Sequence, residues 1–253
     1  MNKLCKLNLL PFTALTAGLA GWFLRALLYT TALDEKGLLS ALQPVEWVLW
    51  LITLGMAAVL ALRVWKLADS DHYESCFAPS AAAALGSLAM AAGILLTVKD
   101  EPSTFPGLVS KLWTITALLS VPALAAVSIY RLKGKKPFFG CHFLVCVFFL
   151  LHMVSRYQIW SSNPQLQDYF FSLAGSVLMT LFAYRQVAFE VGLGRRRLQL
   201  ATGLAGVIFC LTAIPHSGTP MLYLAGAVWM LTGLSNGVPS VETEEPEAAN
   251  GDS

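Results

Sequence analysis

Two arginines, two acids and a histidine are the residues in this chain best placed to do chemistry. Arg25 and Glu46 flank one polar break between apolar runs; Arg156 and Asp168 flank another. His152 stands one helical turn before Arg156, on the same helix face. Charged groups inside hydrocarbon are costly, so they pair, reach for the interface or line a wet cavity. A guanidinium held by a carboxylate also offers a planar fork that binds an anionic head group or a carboxylate through two hydrogen bonds. The expectation is an outward-facing polar pocket lined by Arg25, His152 and Arg156, with Glu46 and Asp168 holding the arginines.

Other constellations are weaker. His142 and His152 share one span, and His72 and His216 lie in loops near its two ends. Pairing His142 with His72 and His152 with His216 would resemble a metal or haem ligand set, but no two spans both carry a histidine. A His152 hydrogen-bonded within the bundle is the simpler expectation. Asp69, Asp71, His72 and Glu74 share one loop without a glycine-bearing ligand frame, so a solvated acidic face fits better than a cation site. The five cysteines form no C-x-x-C pair, which points to free thiols rather than a zinc or redox site. Nucleotide-loop, nucleophile-elbow and zincin motifs are absent, so no cofactor is expected and nothing argues for catalysis.

The elements that must position these groups are membrane helices. Of the 253 residues 56% are hydrophobic and only 13% charged, with a mean hydropathy of +0.63, far more apolar than a soluble domain. A helix crosses roughly 30 Å of hydrocarbon in about 20 residues. Eight runs qualify or come close: 9–33, 44–66, 79–98, 107–130, 138–159, 167–190, 198–214 and 219–235. The fold class is therefore an all-α integral membrane protein, an eight-helix bundle. Residues 1–236 form the membrane domain, and 237–253 an acidic tail whose composition predicts disorder. The first run follows Lys3 and Lys6 as a signal peptide would, but it continues past the small residues 17–21 and reads as a retained span.

Lys and Arg fix the orientation. With the N-terminus inside, the inner segments hold Lys3, Lys6, Arg63, Lys66, Arg131, Lys133, Lys135, Lys136, Arg185, Arg195, Arg196 and Arg197. The outer ends hold only Arg25, Lys36, Lys99, Lys111 and Arg156. Both termini are then cytoplasmic, and a plasma-membrane location is the simplest reading. The inner basic loops suit anionic lipid or a cytoplasmic protein partner, and the net charge of +2, without a basic stripe, excludes nucleic acid.

An internal repeat is suggested by register. A shift of 122 brings Glu46 onto Asp168 and Arg63 onto Arg185; a shift of 116 brings Trp113 onto Trp229 and Thr116 onto Thr232. Two four-span halves of one orientation, related by an axis along the membrane normal, are what some transporters use. The expected function is a small-solute or lipid-handling transporter with a polar site near the outer leaflet. The alternative is a non-catalytic sensor, scaffold or accessory subunit.

Overall fold

The computed structural model describes residues 3–31, 44–67, 73–77, 79–100, 108–160 and 169–235. Among the described residues nine helices and no strands occur: α1 Lys3–Thr31, α2 Pro44–Trp65, α3 Tyr73–Cys76, α4 Ala81–Asp100, α5 Leu108–Leu132, α6 Phe139–Trp160, α7 Phe170–Val191, α8 Arg196–Ala213 and α9 Pro220–Ser235. Six of them are long and apolar enough to cross a membrane, from Leu9–Thr31 to Phe170–Val191; α9 is apolar but shorter. Large apolar side chains such as Leu51, Leu62, Leu85, Phe143 and Tyr184 point outward. In water such a surface would be an aggregation hazard; in a bilayer it is the lipid-facing side. The acidic tail expected over 237–253 lies outside the described residues, as does Asp168.

Side-chain contacts sort the helix termini into two ends. At one end, Arg197 on α8 donates through Nε to the Leu67 carbonyl just past α2, at 2.7 Å. There too the Ser80 amide, ahead of α4, meets the Arg131 carbonyl of α5 at 3.3 Å. This basic end holds the C-terminal turns of α2, α5 and α7 and the N-terminal turns of α4, α6 and α8. The far end gathers Arg25, Tyr29, Trp50, Phe170, Phe171, Phe209 and the link 214–219.

The least expected feature is the position of α8. Thirteen of its eighteen residues are buried, and it packs on α1, α2, α7 and α9. A helix enclosed by other helices meets little lipid and can be small and mildly polar. Gly203, Gly206 and Thr212 on α8 let α9 and α1 approach closely, with Leu234 against Gly203 and Met230 against Gly206. At α4 the glycines also face a neighbour. Gly86 meets Thr232 and Trp229 of α9, and Gly93 meets Ala225 and Met221, while Ala82 points outward.

Helix packing gives the two halves no common arrangement. A two-fold relation would give α4 the neighbours of its counterpart α8. Instead α4 packs chiefly on α5 and α9, and α8 stands in the centre. The acid and arginine matches between halves fit the shared preference of those residues for particular span ends, and the packing lends the repeat no support.

Because a side chain at Gly93 would meet the α9 backbone, Gly93→Leu is expected to destabilise the bundle by about 1–3 kcal/mol. Gly55 on α2 faces open space, so Gly55→Leu should leave the thermal midpoint level or higher. Melting curves of the two variants in detergent decide it; equal losses would contradict this packing.

Candidate functional site

The far end holds the residues picked out by sequence. Arg25 is 2% exposed, in the penultimate turn of α1, and its Nη1 donates to the Thr212 carbonyl of α8 at 3.1 Å. Thr212 lies at the C-terminal end of α8, where carbonyls lack intrahelical donors, so a cation there meets both a free acceptor and the negative end of the helix dipole. The guanidinium also lies over the rings of Phe171, at 5.3 Å, and Tyr29, at 5.7 Å.

Arg156, 8% exposed, reaches the same link from α6. A Cβ at Gly218 would stand 3.0 Å from its Nη1, so only glycine lets the guanidinium lie against the backbone there. Between the two arginines, His216 stacks on Tyr29 with centroids 4.0 Å apart and planes 18° apart. Its φ of 62° lies in the left-handed region, uncommon for a residue with a side chain and sparsely used outside turns and functional sites. Behind the link, the Tyr223 hydroxyl donates to the Ser172 carbonyl at 3.0 Å and shares a hydrogen bond with Ser176 at 3.1 Å.

The other expected members behave differently. Glu46 is half-buried in the first turn of α2, where a carboxylate complements the positive end of the helix. None of the hydrogen bonds or ion pairs among the described residues joins it to Arg25. Asp168 lies outside the described residues, as does His72. His152 is 1% exposed, but its ring lies against Trp113 and Phe148, at 6.3 and 6.1 Å, and its Nε2 has no hydrogen-bond partner. The expected polar contact within the bundle is therefore absent on that nitrogen, and His216, the partner a metal pair would have needed, stacks on Tyr29 instead.

A second polar cluster, at the basic end, was not read from the sequence. His142 on α6 and Glu190 on α7 approach through Nδ1 and Oε1 at 2.5 Å. Arg131 on α5 donates to Gln186 Oε1 on α7 at 2.8 Å. The Gly192 cap ends α7 just past Glu190: its left-handed φ of 87° lets the Gly192 and Leu193 amides turn back onto the Phe189 and Ala188 carbonyls. Beneath this layer, α3 is folded against the bundle. Tyr73, Cys76 and Phe77 are buried with Phe189, and Arg131 lies 4.3 Å from the Phe77 ring and 5.5 Å from that of Tyr73. The segment expected to be only a solvated acidic face thus carries an apolar underside. Gln186 and Glu190, four apart on an apolar span, were the signal available for this cluster, and their partners sit on two other helices, α5 and α6.

The Tyr73 hydroxyl is buried with no hydrogen-bond partner. Burial holds the phenol above its usual range, against Arg131, which lowers it, and with Glu190, which raises it further. Removing an unsatisfied buried hydroxyl gains stability, so Tyr73→Phe should raise the unfolding free energy by about 1–3 kcal/mol. The raised value means that the folded chain holds the phenolic proton more tightly than the unfolded one. Wild type should therefore lose stability as the pH rises through the tyrosine range near about 10, and the variant should lack that component. A lower midpoint for Tyr73→Phe in thermal unfolding would show that the hydroxyl is bonded.

The chain matches no family model, and no curated protein or solved structure is significantly similar to it.

Proposed function

We propose that this is an eight-span plasma-membrane protein that binds an anionic group at its far end, as a transporter of a small anionic solute or a handler of an anionic lipid. The basic end, with Lys133, Lys135, Lys136 and Arg195–Arg197, is the cytoplasmic one, where it meets anionic lipid. Both termini lie on that side, and α8 and α9 complete the eight crossings.

One observation carries the reading. Two buried guanidiniums, on helices distant in sequence, sit at the same end of the bundle, Arg25 on the last turn of α8 and Arg156 against the strained link that follows it. Holding a cation within a bilayer is costly, and bundles that do so concentrate such residues at ligand and ion paths. Arginine suits phosphate and carboxylate because its fork binds two oxygens at once. The expected four-span repeat does not contribute, since helix packing does not support it.

The test uses the purified chain in detergent, titrated with inorganic phosphate and, separately, with short-chain phosphatidic acid, and followed by thermal shift. A lipid-headgroup site answers to the second alone; a free-anion site answers to both. Arg156→Lys keeps the charge but loses the fork, and should weaken binding at least about tenfold with a nearly unchanged ligand-free midpoint. Equal binding by Arg156→Lys and wild type would remove the reading. Loss of folding in Arg156→Gln that Asp168→Asn restores would assign the arginine to a structural pair instead.

A further inference from the structure

The basic-end cluster plays no part in anion binding at the far end, yet it holds the one ion pair found among the described residues. We infer that His142 and Glu190 form a proton-binding site, which exchanges one proton with the solution on the basic side beneath α3.

Geometry supports this in three ways. The pair is deeply buried, with His142 1% and Glu190 5% exposed, and the imidazole Nδ1 engages only Oε1. Glu190 Oε2 is buried with no hydrogen-bond partner. A buried carboxylate with one bare oxygen is expensive while charged, and a proton shared with the imidazole relieves that. Second, the nearby cation does not lock the carboxylate. Arg131 donates to Gln186 Oε1, one turn earlier on α7, and no ion pair joins it to Glu190 among the described residues. Third, the cover is thin. Among the described residues, Tyr73 of the one-turn helix α3 and Phe77 just past it lie under Arg131, and the Tyr73 hydroxyl is itself unpartnered.

The titratable groups around the pair come from each neighbouring element. They are Tyr73 on α3, Arg131 on α5 and Cys141 on α6, while Arg196 is buried at the start of α8 at the same end. Arg185 of α7 lies over the Tyr184 ring, and the described parts of α4 and α9 bring no ionisable side chain to this end. The proton balance is simple. Carboxylate and neutral imidazole together accept one proton from solution and return it on alkalinisation. Whether it resides on Nδ1 or on the carboxyl is a matter of microstates within one protonation level.

Trp229 supplies a reporter, because its ring stacks on His142 with centroids 6.3 Å apart and planes 21° apart. An imidazolium quenches an adjacent indole more than a neutral imidazole does. The emission difference between wild type and Trp229→Phe, recorded on the full chain in detergent over about pH 5 to 8, should show one step. That step should vanish in His142→Gln. Arg156→Lys should leave it unchanged, which separates this site from the far-end one. A flat difference signal, or a step that survives in His142→Gln, overturns the inference. Should Trp229→Phe fold poorly, the second measurement is proton uptake per chain in weakly buffered acid titration. Wild type should take up one proton more than His142→Gln over that range, and equal uptake would overturn the inference equally.

Discussion

Hydrocarbon supplies no hydrogen bonds, and most of the polar groups in this bundle answer to that constraint, with His152 Nε2, the Tyr73 hydroxyl and Glu190 Oε2 as exceptions. Backbone groups are satisfied by helices, and side-chain hydroxyls by the carbonyl of the preceding turn. Thr53, Ser87, Thr97, Ser176, Thr180 and Thr212 all donate four residues back. Arginines cannot be satisfied this way, and each seeks a helix end or an aromatic face. Arg25 takes the last turn of α8, Arg197 the end of α2, and Arg131 a glutamine above two rings. The buried charges therefore sit in two layers near the two ends, with an aromatic and aliphatic core between them. One face of α7 runs through both layers: Ser172 and Ser176 behind the far-end link, then Thr180, then Gln186 and Glu190 at the basic end. Those residues span eighteen positions, about 27 Å at the usual helical rise.

Hydropathy in such a chain reports contact with lipid rather than centrality. The helix α2 is apolar throughout, yet only 17% of its candidate membrane window is buried, because it lies at the edge of the bundle. The helix α8 does not reach the apolar threshold met by six others, yet it is the hub. Arg196, Arg197 and Gln199 in its first turn lower its hydropathy, while Gly203 and Gly206 farther along let α9 come close. A scan for apolar runs finds the wall of the bundle more readily than its axis.

This difference explains what was legible in the sequence. Span positions were, since each apolar run is local and about as long as a bilayer is thick. Arg25 and Arg156 stood out because an arginine among leucines and valines is anomalous whatever surrounds it. Some of the groups they touch were not legible: a carbonyl at the end of α8 and a glycine past it carry no sequence mark, whereas the acids Glu46 and Asp168 do, and Asp168 lies outside the described residues. The His142–Glu190 contact joins residues 48 apart, and α3 covers it with residues more than fifty positions from Arg131. Nothing local in the chain announces contacts of that kind.

The account depends on α8 crossing the membrane as the bundle's axis and delivering the link 214–219 to the face opposite the basic end. Six crossings or eight leave the two termini on the same side, so the informative position is within that link. Ser217→Cys, treated in intact cells with a membrane-impermeant maleimide, should be labelled from outside, as a cysteine placed at Ser103 should be. A cysteine at Lys135 should not, and wild type with its native thiols sets the background. Protection of Ser217→Cys from the outside reagent, with labelling only after the membrane is opened, would show that α8 does not cross. The far-end arrangement of Arg25 and Arg156 around the link would then be lost.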